Sequence, residues 1–200
     1  MQKIRLLVVG AGGHGRSVAE AAELSRQFEV VGFLDDSLLD AETLHGLHVL
    51  GPAASMVSHR SVCDQAIVAI GNNAVRERLI LQLVETGFEL ATVIHPRAFV
   101  SPSAVLGKGS VVMAGGIVGT ETSLGMGVII NCGAVVDHHA LVEDFGHLGV
   151  NATMAGGTRL GFGAWMQAGS ALGYGVKVSP GVTIAPGEAV DANSNKYKND

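Results

Sequence analysis

The chain has 200 residues, enough for one large domain or two small ones, with 48% hydrophobic and only 16% charged residues, which excludes a disordered chain. A net charge of −5 argues against a nucleic-acid surface, because phosphate backbones call for clustered Lys and Arg. Aromatics make up 4% of the chain against 28 glycines, a composition that suits a regular backbone with many bends.

In chain order, the first predicted element is a buried strand at residues 4–9, IRLLVV. Lys3 and Arg5 precede an apolar run from Leu6 to Val9 that is too short for a signal-peptide core. The strand runs into Gly10-Ala11-Gly12-Gly13-His14-Gly15, then a helix from Arg16 to Ser25 and a second strand ending Phe33-Leu34-Asp35-Asp36. Strand, G-x-G-x-x-G, helix and strand, with an acid twenty residues past the last glycine, make a nucleotide-binding fingerprint. Glycine there lets backbone amides at a helix N-terminus approach a phosphate. The same motif also serves as a tight β–α turn with no ligand. A third strand, Ala66 to Ile70, leads to Gly71-Asn72-Asn73 and a helix through Gly87, and a short strand covers Glu89 to Val93. About ninety residues supply half a dinucleotide fold, which suits a nucleotide-sugar better than NAD(P).

From Ile94 the sequence has a period of six. Every sixth residue is aliphatic, through Val100, Leu106, Val112, Val118, Leu124, Ile130, Val136, Val142 and Leu148, then Met154, Leu160, Met166, Leu172, Val178, Ile184 and Val190. Four residues after each stands a small or β-branched residue, with Glu188 the departure. This is the hexapeptide repeat of a parallel β-helix, in which three hexads close an eighteen-residue coil and coils stack at about 4.8 Å. Separate hairpins would demand period-two alternation and Asn-Gly turns, and neither is found. The boundaries are 1–93 for a Rossmann-like α/β nucleotide-sugar domain, 94–190 for the β-helix and 191–200 for a polar tail.

The repeat directs the search for chemistry. His138 and His139 fall at one exposed corner after Asp137, where a plain solvated surface is the competing reading. Eighteen residues away on either side lie Thr120 and Gly156, both small, so open space is expected beside the imidazole. His147 points outward in a column with Val111, Ile129 and Trp165, and such an apolar stripe predicts burial by a second copy in a closed cyclic oligomer. Adjacent histidines at a corner are poorly placed to share one ion, so no metal is expected. Cys63 and Cys132 lack CxxC partners, and no apolar run approaches eighteen residues, so a reduced, cytoplasmic protein without membrane insertion is expected.

GAGGHG (10–15), FLDD (33–36), AIGNN (69–73), IHPRAFVSPSA (94–104) and INCGAVVDHHALVEDFGHLGVNATMAGG (130–157) together resemble the sugar acetyltransferases of the NeuD/PglD type, over nearly the whole chain. The resemblance implies a left-handed sense for the β-helix, a homotrimer, and acetyl-CoA as co-substrate. It implies His138 as general base, helped by Asp137 or His139, and His147, Gly156, Ala168 and Pro186 along the acetyl-CoA groove. It assigns Gly12, Gly13, His14, Asp35, Asp36, Gly71 and Asn72 to the nucleotide-sugar. Two departures stand out. His139 occupies a position commonly acidic or amide in the family, and the chain ends VDANSNKYKND instead of a glycine-and-proline closing segment. N-acetylation of a nucleotide-activated amino sugar is the leading activity, with O-acetylation of sialic acid or another sugar, and a non-catalytic scaffold, as alternatives.

Overall fold

A computed structural model describes residues 2–38, 43–44, 46–194 and 197. The chain divides into two compact units, Met1–Pro96 and Arg97–Asp200.

The first unit is built on a four-stranded parallel sheet. Strand β1 (Ile4–Val9) lies between β2 (Phe28–Leu34) and a third sheet strand, Gln65–Val68, with Glu89–Leu90 at the far edge. Leu6, Leu7, Val8 and Val9 are wholly buried because a central parallel strand is covered on both faces. Helix α1 (Gly13–Leu24) turns Val18, Ala19, Ala21 and Ala22 inward. It begins three residues before the predicted Arg16, inside the glycine motif, where weak helix formers obscure the start. A second helix, Asn73–Glu85, follows the third strand and is capped by Asn72, whose Oδ1 accepts from the amide of Val75 at 3.1 Å. Between β2 and the third strand lie two features without a periodic signature, a small hairpin (Thr43–Leu44 with Leu47–His48) and a 3₁₀ segment, Ala53–His59.

The second unit carries the repeat as a triangular prism. Three parallel sheets contain six, six and five two-residue strands. Pairing steps by eighteen residues, as in Val111↔Ile129↔His147↔Trp165↔Thr183 along one face. A second face carries Phe99, Ile117, Val135, Thr153, Ala171 and Ala189 outward, and a third Val105, Ser123, Leu141, Arg159 and Lys177. The hexad aliphatics fill the interior. Those from Val112 to Val190 are at most 4% exposed, and full burial of each such side chain contributes about 1.5–3 kcal/mol. Ile94, at the start of the series with no coil before it, is 36% exposed. The small residues sit inside corners, where hydroxyls satisfy backbone carbonyls: Ser110 donates to Gly125 at 2.9 Å and Thr122 to Asp137 at 3.0 Å.

Each hexad turns its corner through a left-handed residue three positions after the aliphatic. From 109 to 187, ten of these are glycine (109, 115, 127, 133, 157, 163, 169, 175, 181, 187) and four are Glu121, His139, Phe145 and Asn151. A side chain in that conformation costs roughly 1–2 kcal/mol, so the four exceptions call for a reason.

One residue of the polar tail docks on the prism. Asn195, Lys196 and residues 198–200 lie outside the described residues, but Tyr197 packs against the prism core. Its carbonyl accepts from Ser179 at 2.9 Å and its hydroxyl donates to Glu188 at 2.8 Å. That contact gives Glu188, the break in the small-residue series, a partner at the last coil.

Candidate active site

His138 lies at the corner between the second and third faces. Its ring fills the space predicted to be open: a Cβ on Gly156, one coil along, would stand 2.6 Å from its Nε2. The imidazole therefore rests on the glycine, and any ligand must approach from the exposed side, where half the side chain (51%) is accessible.

Three neighbours define the state of this ring. Asp137 uses Oδ1 to accept the backbone amide of His138 at 2.7 Å, which holds the turn, while its Oδ2 stays 3.8 Å from Nε2, beyond hydrogen-bond reach. Asp137 thus fixes the backbone of this corner rather than the ring. His139 reaches His138 directly, Nδ1 to Nδ1 at 3.0 Å with the rings edge-on at 84°. Beyond it, Nε2 of His139 meets Oε2 of Glu121 at 2.9 Å. Glu121 was not singled out from the sequence, although it stands eighteen residues before His139 at the same left-handed corner position.

The residues assigned to acetyl-CoA separate into two places. Gly156 shares the His138 edge, whereas Ala168 and Pro186 stack with Val150 on the neighbouring edge, between the first and second faces. His147 opens a strand of the first face and is 6% exposed, stacked on Trp165 with centroids 5.3 Å apart and planes 14° from parallel. This corrects the expected stripe: Val111 and Ile129 are each 1% exposed within a single chain, so the column is not free for a second copy. The exposed apolar column is on the second face, with Phe99 58% and Ile117 41% exposed.

In the first unit the glycine motif divides its labour. Gly10 adopts φ +106° and a Cβ there would stand 2.9 Å from the Ala69 carbonyl oxygen, while a Cβ on Gly15 would collide with the Gly10 carbonyl. Gly12 and Gly13 face open space, so theirs is the backbone a ligand can approach. They begin α1, whose first turn holds no acid, leaving its amides and partial positive charge unopposed. Beside them, a cleft of about 250 Å³ is lined by Ala11, Gly12, Arg16, Asp35 and Ser37. Arg16 adds a cation that sequence reading left aside.

The two aspartates shape this mouth. Asp35 accepts from the amides of Ala11 and Ser37, each at 2.8 Å, and Asp36 from Ala53 at 2.8 Å. Gly71 accepts from Arg76 at 3.2 Å. His14 does not line this cleft. Its Nε2 is buried without a hydrogen-bond partner, and burial, reinforced by the Arg76 cation, pushes its pKa down to about 4. A wholly buried Arg76 donates to Ile70 at 3.0 Å and to Asn73 at 2.8 Å, and burial lowers its pKa to about 10.

Among the described residues, no three His, Cys, Asp or Glu side chains gather as a metal site, and no helix is long and apolar enough to cross a membrane.

Comparison with known proteins places this geometry in context. Residues 5–83 match the PglD N-terminal domain. Over 108 residues, 54% of this chain, there is 35% identity to UDP-N-acetylbacillosamine N-acetyltransferase of Bacillus subtilis, and the match spans 50% of that relative. The acetyltransferase domain of PglB from Neisseria gonorrhoeae, solved with acetyl coenzyme A, is 35% identical, with 98% of this chain and 99% of that one covered at a TM-score of 0.88. A histidine-to-alanine variant of GDP-perosamine N-acetyl transferase from Caulobacter crescentus, solved with CoA and GDP-perosamine, is 30% identical, with 98% and 97% covered and a TM-score of 0.89. With likeness running through both the glycine-motif unit and the left-handed β-helix, the chain belongs to the PglD-type family of sugar acetyltransferases.

Proposed function

We propose that the protein transfers an acetyl group from acetyl-CoA to the amine of a nucleotide-activated amino sugar, with His138 as general base. The observation that carries this reading is the His138 ring itself: exposed at a prism corner, seated on Gly156 and hydrogen-bonded through Nδ1, it keeps Nε2 for a substrate proton. The Gly12–Gly13 mouth supports a nucleotide-linked acceptor, because amides at a helix start suit a diphosphate. In this family, acyl acceptors of the named relatives are UDP- and GDP-linked amino sugars, consistent with that mouth.

In the step proposed, the amine nitrogen attacks the thioester carbonyl, a C–N bond forms, and Nε2 of His138 takes the amine proton. The tetrahedral intermediate collapses, the C–S bond breaks, and the CoA thiolate leaves with that proton. A backbone N–H along the groove would serve the oxyanion. A base so placed contributes about 10²–10⁴-fold.

A homotrimer completes the reading. Ala168 and Pro186 lie on one edge and His138 on the next, divided by the second face with its exposed Phe99 and Ile117. When three copies turn that face to a common axis, the acetyl-CoA edge of one meets the His138 edge of the next. The two unpaired thiols, Cys63 and Cys132, support a cytoplasmic setting.

The test is release of free CoA from acetyl-CoA with a panel of UDP-, GDP- and dTDP-linked 4-amino sugars and free sialic acid. Turnover with one amino sugar, lost in His138→Ala while CoA still binds, is the expected result. Turnover with sialic acid alone would move the activity to O-acetylation. Binding without turnover on any acceptor would favour the scaffold. Sedimentation at the 20.5 kDa mass of one chain would remove the trimer.

A further inference from the structure

We propose that Glu121 is a positioning residue for the acyl transfer: through His139 it fixes the tautomer of His138 and takes up the charge that His138 acquires. The inference rests on His138 being the base and adds the carboxylate that the position after it lacks.

Hydrogen-bond accounting leads to this assignment. A carboxylate only accepts, so the 2.9 Å contact between Oε2 of Glu121 and Nε2 of His139 requires a proton on that nitrogen. A neutral His139 then has a lone pair at Nδ1. Nδ1 of His138, 3.0 Å away, must therefore be the donor. His138 in turn has its lone pair at Nε2, the nitrogen a general base needs. One carboxylate thus sets the proton positions of both rings.

The backbone supports the same conclusion. Glu121 (φ 56°) and His139 (φ 57°) occupy the left-handed corner position on successive coils, where ten other hexads place glycine. The column continues into Gly157, so the two ionisable residues stand together where strain is otherwise relieved. Both backbones are also tied down. The Glu121 amide donates to Ser103 Oγ at 3.0 Å, and the His139 amide donates to the Thr120 carbonyl at 2.9 Å. Asp137 is engaged with the His138 amide and lies 3.8 Å from Nε2, so it cannot set the tautomer.

During transfer the amine proton arrives at Nε2 of His138, and the Nδ1 proton of His138 passes to Nδ1 of His139. His139 becomes an imidazolium paired with Glu121. When the thiolate takes the Nε2 proton, the other returns, and the relay is reset with no net change.

The side chains of Glu121 (62%) and His139 (61%) are well exposed, so water screens the pair and its share of catalysis is modest. Glu121→Ala should lower kcat about 10-fold, a fraction of the 10²–10⁴ of the base itself, and leave KM for acetyl-CoA unchanged. Glu121→Gln, which retains an acceptor without the charge, should fall between, and Glu121→Ala with His139→Glu should recover most of the loss by placing a carboxylate directly on His138.

The closing experiment reads the tautomers themselves by long-range ¹⁵N–¹H spectra of the full chain, needing no acceptor sugar. Nδ1–H on His138 and Nε2–H on His139, with the His138 signal altered in Glu121→Ala and Glu121→Gln, is the expected result. Nε2–H on neutral His138, or spectra indifferent to both substitutions, overturns the relay. An inactive His138→Ala beside fully active Glu121 variants would overturn the relay alone, whereas an active His138→Ala would remove the base and the relay with it.

Discussion

Gly156 carries the imidazole of His138: a methyl group on this glycine would stand 2.6 Å from Nε2. The obstacle is the end of a movable side chain, so Gly156→Ala should leave the prism intact and push the ring aside. A misplacement near 1 Å costs about 100-fold in rate. We expect a melting temperature close to that of the parent and a kcat lower by about that factor, measured side by side.

The glycines of the N-terminal motif should respond in opposite ways. Gly15→Ala drives a methyl into the Gly10 carbonyl, a backbone atom that cannot turn away, and should destabilise the first unit by about 1–3 kcal/mol. Gly12→Ala meets nothing within 4 Å and should leave stability alone while weakening nucleotide-sugar binding. Urea denaturation and calorimetric titration with GDP- or UDP-linked amino sugars separate the two effects. Equal stability losses in both variants would contradict this division.

His14 makes stability depend on pH. Its pKa falls from 6.5 to about 4 on folding, first through burial and then through Arg76. The unfolded chain therefore binds more protons between these values. The contribution is complete above 6.5, declines as pH falls, and is gone below about 4. The difference amounts to about 3 kcal/mol. Denaturation midpoints should drop from pH 7.5 to pH 4.5, and His14→Leu should flatten that drop.

Tyr197 closes the last coil. Removing its ring and its hydroxyl bond to Glu188 in Tyr197→Ala should cost about 1–2 kcal/mol, seen in thermal unfolding. Hydrogen exchange should accelerate first at Ser179, whose amide Tyr197 accepts.

The repeat was legible because one period encodes the inward aliphatic, the corner and the coil at once. The same arithmetic placed Gly156 beside His138. The same interval of eighteen joins Glu121 to His139, but the aliphatic period does not mark this pair. What hides such a partner is that corner chemistry follows the fourth position of the hexad, where glycine is the rule and a charged residue the signal. Burial was harder to read. The spacing of eighteen puts His147 beside Ile129 and Trp165, yet it does not tell how far a ring in that column is enclosed, and His147 is only 6% exposed. The hairpin at Thr43–Leu44 and the 3₁₀ turn at Ala53–His59 left no trace in the periodicity, since short irregular elements bury too few residues to impose one.

Because each prism strand bonds only to strands eighteen residues away, the chain tolerates changes of length in only one unit of currency. Losing a single residue between Val112 and Val190 would turn every later side chain to a different wall of the prism. Gaining a whole coil after Gly163 would instead lengthen the prism by about 4.8 Å and leave Glu121, His139, His138 and Gly156 in place. The height of the prism can therefore change by whole storeys while the base, its two partners and the glycine beneath it keep their arrangement on a lower floor.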